Sequence, residues 1–511
     1  MFAYILRRLA MAVFIVLGSS FIVYLLVAYS GDPLEFTIGI QDPVERQALV
    51  DSLTKALRLD VHPVVRYFGW LGDVVRGDFG VSVRTNQPVN DELLGRLLMT
   101  LKLVSASTVL SIVLGIGVGI VTAIKQYSGF DYVVTFFTFV FFSLPVFWVA
   151  VLLKSFGAIN FNDWLRSGAE FPPWVYVVGV AAAFGLAWSI TGGARWRRLS
   201  FAAPVTLGVT GLLVYVSRSG WMLDPGLGPV VAAIVSVAIA AAITALMAGL
   251  RNLRARNAAL ATSGLLAVVG YHPLQRLFDS EAMNVWLALL VSAGAVLLGV
   301  LAGIAAGGFD RGLSARVAGI TGLLVSVVLL TDRALRSWSE YSANSAIRNR
   351  PIKTIGDREY RLEGDFWVVS NDTFSHLILP TLALMLISLA TYTRYARASM
   401  LEVLNQDYIR TARAKGLNER TVLLRHGFRN AMIPLATIVA FDIGGILGGA
   451  VITETVFEWN AMGRMFIQGV NSQDPNPVMA FFVIISLFAI AANLLADLTY
   501  AVLDPRIRIG E

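Results

Sequence analysis

RYARASMLEVLNQDYIRTARAKGLNERTVLLRHGFRNAMIP, residues 394–434, is a polar segment set between two strongly apolar ones, and its reading decides how the rest of the chain is understood. It predicts two short helices hinged at Gly416. Asp407 can cap a helix over 408–415, its carboxylate accepting from an unpaired amide at the helix start, and Gly416 stands where a left-handed residue would end that helix. Asn418 caps the second helix, with Glu419 in its first turn. Ala412 and Ala414 are small enough to let the first helix lie close against another protein, and Tyr408 and Ile409 offer bulk to bury there. Eight Lys/Arg against three Asp/Glu would equally suit a plain cytoplasmic loop that fixes membrane orientation.

The composition places the whole chain in a membrane. Its 511 residues are 56% hydrophobic and 15% charged, with a mean hydropathy of +0.68, more apolar than a soluble core requires. The absence of cysteine excludes disulfides, thiolate nucleophiles and Cys-ligated metals, and His62, His272, His376 and His426 form no ligand cluster. No glycine-rich segment leads into a Walker-A lysine, so nothing in the chain cradles ATP phosphates. There is no G-x-S-x-G and no H-E-x-x-H, which leaves a membrane-embedded hydrolase without a nucleophile or a metal. No catalytic, cofactor-binding or metal-binding residue is expected. The formal charge of +7 sits in short loops between apolar runs, the distribution that orientation requires and not that of a nucleic-acid surface.

Taken in order, Arg7 and Arg8 precede an apolar run from Leu9 to about Tyr29. Ala28-Tyr29-Ser30 would pass as a signal cleavage site, but the run is long enough to span a bilayer and longer than a signal core, so it reads as a retained first helix with its amino terminus inside. Residues 31–98 are polar. Asp42-Pro43-Val44-Glu45 opens one amphipathic helix and His62-Pro63 another, both too polar to span, giving a small external subdomain. Two spanning runs follow, near 101–124 and 132–156, joined by an inside turn carrying Lys125. Further apolar runs lie near 173–190, 201–217, 229–250, 258–271, 285–308 and 317–330, two of them short for a span. The arginines between them (195, 197 and 198; 251, 254 and 256; 311 and 316) fall in alternate loops, as expected for six helices that begin and end outside. An even number also keeps the 394–434 loop on the inner side. Residues 332–375 carry mixed charge and no span, and should be external.

HLILPTLALMLISLATYTRYAR (376–397) then spans, its basic end at Arg394 and Arg397 entering the loop. LATIVAFDIGGILGGAVITETVF (435–457) has Gly444, Gly445, Gly448 and Gly449 at small-xxx-small spacing, which allows close helix approach. Asp442 lies near its middle, and an intramembrane carboxylate faces either a water-filled path or a polar partner at a subunit interface. The final helix covers about 478–502.

YIRTARAKGL (408–417) followed by LLRHGFRNAMIP (423–434) resembles the cytoplasmic loop of binding-protein-dependent ABC importer permeases of the dipeptide/oligopeptide branch. In that family's pattern of Glu-Ala-Ala, three residues, Gly and later Ile-x-Leu-Pro, the first three places are Arg410, Thr411 and Ala412, the fourth is Gly416, and Met432-Ile433-Pro434 stands at the end. The missing Glu is usual in the peptide branch. The arginines before the first helix with Gly31-Asp32-Pro33 after it, RGDFGVSVRTNQPV (76–89), and Asn493, Asp497, Tyr500, Asp504, Pro505 and Arg506 near the end are similar to the same branch. EWNAMGRMFIQGVNSQDPNP (458–477) resembles its outer Trp-Pro-Gly-Leu-Gly loop, with Asn460 and Ala461 in place of Pro and Gly. The resemblance covers 1–157 and 366–511 and leaves a region inserted between them.

The resemblance implies an all-α, polytopic integral membrane protein of about twelve spans. Its parts would be a first helix over 1–30, the external subdomain 31–98, core helices over 99–157, an inserted region of about six helices with an external loop over 158–365, and the rest of the core over 366–511. The insertion would be a peripheral bundle lining no substrate path. The resemblance further implies a permease subunit of an importer in the cytoplasmic (inner) membrane, both termini cytoplasmic, that moves short peptides or, alternatively, nickel or another small solute. Partners would be a second permease subunit, two ATP-binding subunits, an extracytoplasmic solute-binding protein and membrane lipid. Tyr408, Arg410, Ala412, Ala414, Lys415 and Gly416 would couple ATP hydrolysis to transport. Asp442, Gly444, Gly445, Gly448 and Gly449 would line the substrate path or the subunit interface, and Asp497 would pair with a basic residue of the loop. A channel acting alone would not need the glycine-hinged element.

Overall fold

Side-chain caps set the helix starts. Asp42 accepts from the Val44 and Glu45 amides ahead of Pro43–Leu57, Asn284 from Leu287 ahead of Val285–Gly307, and Asp365 from Trp367 and Val368 ahead of Phe366–Leu404. The computed structural model describes residues 2–191 and 193–503. Within these, the side chains of 2–5, 420, 437, 440–441, 443–447, 449 and 495–503 lie outside the description. Among the described residues every named element is helical, and the one extended feature is an isolated bridge between Val81 and Pro88. The chain is an all-α, polytopic membrane protein.

Eight helices among the described residues are long and apolar enough to cross a membrane, or nine if a bent pair is one span. The expected twelve are not reached by that criterion. Val285–Ala343 counts once, although its chain turns back at Gly308 (φ +54) into two antiparallel helices, Val285–Gly307 and Arg311–Arg336. These lie so close that a Cβ on Gly299, Gly303 or Gly322 would run into backbone of the opposite helix. Leu253–Gly264 continues as a π-helical turn to Val269 and is too short, and Arg429–Gly449 is not counted, many of its side chains being undescribed. Helices nevertheless occupy all six apolar runs of the 158–365 region. Single cysteines at 196, 254 and 313, introduced into this cysteine-free chain, should be labelled from the cytoplasmic side; outside-only labelling at any of them would overturn the topology.

Three expectations need correction. The run near 132–156 is not one straight span: Gly129–Ser143 and the helix starting at Val146 are bent by 105° at Leu144-Pro145. Pro145 offers no amide and holds Leu144 extended (ψ 131°), which breaks the helix there. The helix containing 101–124 begins at Val89, and the one containing 376–397 at Phe366, so both reach well into segments read as polar loops. Finally, residues 338–365, within the 332–375 segment read as polar throughout, contribute a side chain to the central core. Ile352 packs in the central core with Leu103, Leu379, Phe457 and Trp459, and Asn162 exchanges two hydrogen bonds with its backbone (2.8 and 3.1 Å).

That core lies between Val89–Ile124 and Phe366–Leu404. Close approach depends on two glycines: a Cβ on Gly115 would stand 2.7 Å from Tyr392 Cβ, and one on Gly119 2.6 Å from the Thr393 carbonyl. The polar subdomain is tied down by Asp474, which is buried and accepts from the Ser82 hydroxyl (2.7 Å) and the Val83 amide (2.6 Å). The C-terminal ends of these two long helices meet the 394–434 segment.

Candidate functional site

The loop helix runs over Asp407–Ala414, one residue earlier than expected. Gln406 takes the N-cap position with an extended backbone and makes no side-chain cap, so Asp407 is the first helical residue, within 3.6 Å of Arg410, and not the cap. The other end follows the sequence. Gly416 adopts φ +74, its amide donates to the Arg413 carbonyl (2.9 Å), and the Leu417 amide reaches the Ala412 carbonyl (3.4 Å). A Cβ on Gly416 would meet nothing within 4 Å, so conformation alone demands glycine there. Asn418 caps the next turn by accepting from the Thr421 amide (2.8 Å). The second helix is not short: Glu419–Thr421 continues through a π-helical stretch, Val422–Phe428, into Arg429–Gly449.

Across the hinge, the Arg413 guanidinium makes two bonds to Glu419, at 2.7 and 3.2 Å. These bonds hold the Glu419 carboxyl below its ordinary value and raise Arg413 above its own. A lowered carboxyl contributes at every pH above its ordinary value and loses that contribution as the pH falls through the lowered one, so the clamp is fully formed at neutral pH and opens only in acid.

The helix is docked on its own chain. Ile409 (0% exposed) and Ala412 (6%) are buried against Val422, with Val403 and Leu404 packed beside them. This corrects the expectation that Ile409 and Ala412 face another protein. An eight-residue helix has one face to bury, and here that face covers the end of Phe366–Leu404. The outward face carries Tyr408, Arg410, Ala414 and Lys415, with Gly416 at its edge, all exposed. Asn430 donates to the Tyr408 hydroxyl (3.0 Å), linking this face to Arg429–Gly449. Ser399 donates to the Ala431 carbonyl (2.8 Å), joining the two long helices just above.

Two further anchors lie toward the C-terminal end of Phe366–Leu404, and sequence reasoning missed both. Asp131 (2% exposed) accepts from Arg397 Nε and Nη2, each at 2.9 Å, and from the Tyr127 amide at 3.0 Å. Locally Asp131 reads as the third residue of a helix capped by Ser128, which bonds its amide at 3.2 Å, so nothing nearby signals a partner 266 residues away. Arg394 lies over the Phe142 ring, 3.8 Å from its centroid.

Within Arg429–Gly449, Asp442 is half-buried and lies near the hydroxyl of the buried Tyr392. Gly448 is exposed and open on its Cβ side. The side chains of Gly444, Gly445, Gly449 and Asp497 are outside the described ones, and Asp504, Pro505 and Arg506 lie outside the described residues. Glu454, also missed, is fully buried and accepts from Thr100 Oγ1 (2.7 Å) and the Gly463 amide (2.6 Å), which fixes the turn after Phe457. Among the described residues no group of three or more His, Asp or Glu is placed to hold a metal.

Residues 323–509 match the family described as binding-protein-dependent transport system inner membrane component. An oligopeptide transport system permease protein of Mycobacterium tuberculosis (strain H37Rv) is 43% identical over 167 residues, covering 33% of this chain and 51% of its own. One of Bacillus subtilis (strain 168) is 25% identical over 99% of both chains. A dipeptide transport system permease protein of Escherichia coli (strain K12) is 45% identical over 137 residues, 27% of this chain and 40% of its own. The mycobacterial match thus spans about half of that relative's length.

Proposed function

We propose, from the match of residues 323–509 to the binding-protein-dependent transport system inner membrane components, that the chain is the permease subunit of an importer that carries short peptides across the cytoplasmic membrane. ATP is hydrolysed by two separate subunits. Each permease offers one helix to them, and in this chain it is Asp407–Ala414, presenting Tyr408, Arg410, Ala414 and Lys415. A second permease completes the pathway, and an extracytoplasmic solute-binding protein delivers the peptide. The peptide substrate rests on the relatives, whose names are those of oligopeptide and dipeptide permeases.

The observation that carries the coupling reading is the way this helix is held. It packs on the end of one long helix through Ile409 and Ala412 and bonds to the start of another through Tyr408 and Asn430. A partner that displaces it therefore drags both long helices, while Gly416 and the Arg413–Glu419 clamp keep its angle fixed. Rigid-body closure of the ATP-binding subunits would be converted in this way into alternating access.

Gly416→Val tests this. A β-branched residue is disfavoured at φ +74, and strain of about 1–3 kcal/mol distorts the hinge without unfolding a chain of this size. The variant should insert and assemble, while substrate-stimulated ATP hydrolysis and uptake of a labelled short peptide by the reconstituted complex fall roughly 5- to 150-fold. Parental rates in both assays would remove the hinge from the mechanism. Parental coupling without uptake of any peptide would refute the substrate class alone.

A further inference from the structure

A second basic site lies away from the loop helix, where the turn 125–129 meets the start of Arg195–Arg218. The cleft between them has a volume of ≈ 1140 Å³. Lys125, Arg197 and Arg198 line it, together with Trp188, Ser189 and Ser200, and among the described residues no acidic side chain does. Lys125 donates to the Ile190 carbonyl (2.8 Å), which holds its charge at the mouth. The Arg198 guanidinium lies 5.9 Å from the Trp188 ring centroid, and its Nε is buried without a hydrogen-bond partner.

The helix start is electrostatically incomplete. Arg195–Arg218 begins with no side-chain cap and no acidic residue in its first turn, yet carries Arg195, Arg197 and Arg198 there. Its unpaired amides and its dipole already favour negative charge, so three added cations are mutually unfavourable unless an anion joins them. A buried guanidinium nitrogen without a partner points to the same missing group.

We propose that this cleft binds a phosphate-bearing anion, the head group of an anionic phospholipid. The location selects a lipid over a free ion. Pro173–Ile190 and Arg195–Arg218 are both apolar enough to cross a membrane, so the cleft opens where they reach its surface. Trp196 (81% exposed) and Phe201 (47%) flank it and offer apolar surface to acyl chains. The bound lipid would join the 125–129 turn, and through it Asp131 and Arg397, to the first hairpin of the inserted region.

The test uses the full chain, purified in detergent and stripped of lipid, and reads the part of the tryptophan emission lost in Trp188→Phe. Brominated phosphatidylglycerol should quench that emission at a roughly tenfold lower mole fraction than brominated phosphatidylcholine. Arg197→Gln combined with Arg198→Gln should abolish that tenfold preference, because two basic residues at a membrane surface are together worth roughly thirtyfold. Millimolar inorganic phosphate should leave the quenching unchanged. Equal quenching of the parent by the two lipids, which needs no variant to fold, would overturn the proposal. An unchanged preference in the double variant would do so too, and displacement by inorganic phosphate would reassign the site to a free anion.

Discussion

Asp131→Ala is expected to lower the stability of the chain by about 3–5 kcal/mol, the usual consequence of removing one partner from a buried ion pair. The carboxylate is 2% exposed and carries four bonds, two from Arg397, one from the Tyr127 amide and a longer one from the Thr135 hydroxyl (3.4 Å). Deleting it leaves a guanidinium facing protein and an amide without an acceptor, at the point where the 125–131 turn is fastened to Phe366–Leu404. Because the Arg397 side chain keeps 30% of its exposure, some hydration is recovered and the loss belongs at the lower end of that range. Asp131→Asn keeps the amide's acceptor and should cost roughly half as much. Thermal unfolding followed by tryptophan emission checks both; a loss below about 1 kcal/mol for the alanine variant would mean that the pair is ornamental.

Ala412→Asp should abolish coupling while leaving the membrane region folded. Ala412 is 6% exposed and faces Ile409 and Val422, so a carboxylate there is either buried without a partner, at a cost of several kcal/mol, or protonated. The forces that hold the loop helix are of the same size. Burial of Ile409 contributes about 1.5–3 kcal/mol, and the exposed Arg413–Glu419 pair at most about 1 kcal/mol. The helix should therefore leave its seat. In inside-out vesicles the expected result is rapid tryptic cleavage after Arg413 and Lys415 together with the loss of substrate-stimulated ATP hydrolysis. Ala414→Asp, on the exposed face, should retain parental resistance to trypsin and lose only the coupling. If Ala412→Asp were as resistant and as active as the parent, the docked arrangement would be wrong.

These contrasts show where the sequence was legible. Gly416, Asn418, Asp42-Pro43 and His62 declare themselves because each acts within a few residues of backbone: a left-handed φ, or a side chain accepting from an amide two or three positions on. The inner face of the 407–414 helix could not be read the same way. Ala412 and Ala414 are alike as residues, and only the partner surface formed by Val403, Leu404 and Val422 decides which one is buried. Asp407 outranks Gln406 as a cap by residue type, yet the extended backbone falls at Gln406, so the chain path overrode the propensity. Pro145 inside the 132–156 run is a local helix breaker that the apolar average of the run concealed, and the run bends there by 105°. Asp131 with Arg397, and Asp474 with Ser82, join residues hundreds of positions apart and leave no local trace. Ile352 sits in a mixed-charge stretch whose average polarity hides one residue anchored in the core.

The central claim is that the outward face of Asp407–Ala414 is where the ATP-binding subunits dock, and proximity tests it most directly. The chain has no cysteine, so Arg410→Cys and Lys415→Cys each introduce a unique thiol on that face, and Tyr132→Cys places one on an exposed position of Gly129–Ser143 as a control. In membranes carrying the assembled complex, a short thiol-directed cross-linker should join positions 410 and 415 to an ATP-binding subunit in high yield, vary with nucleotide, and leave position 132 unjoined. Cross-linking from 410 and 415 no stronger than from 132, in a complex that still co-purifies with its ATP-binding subunits, would contradict the account.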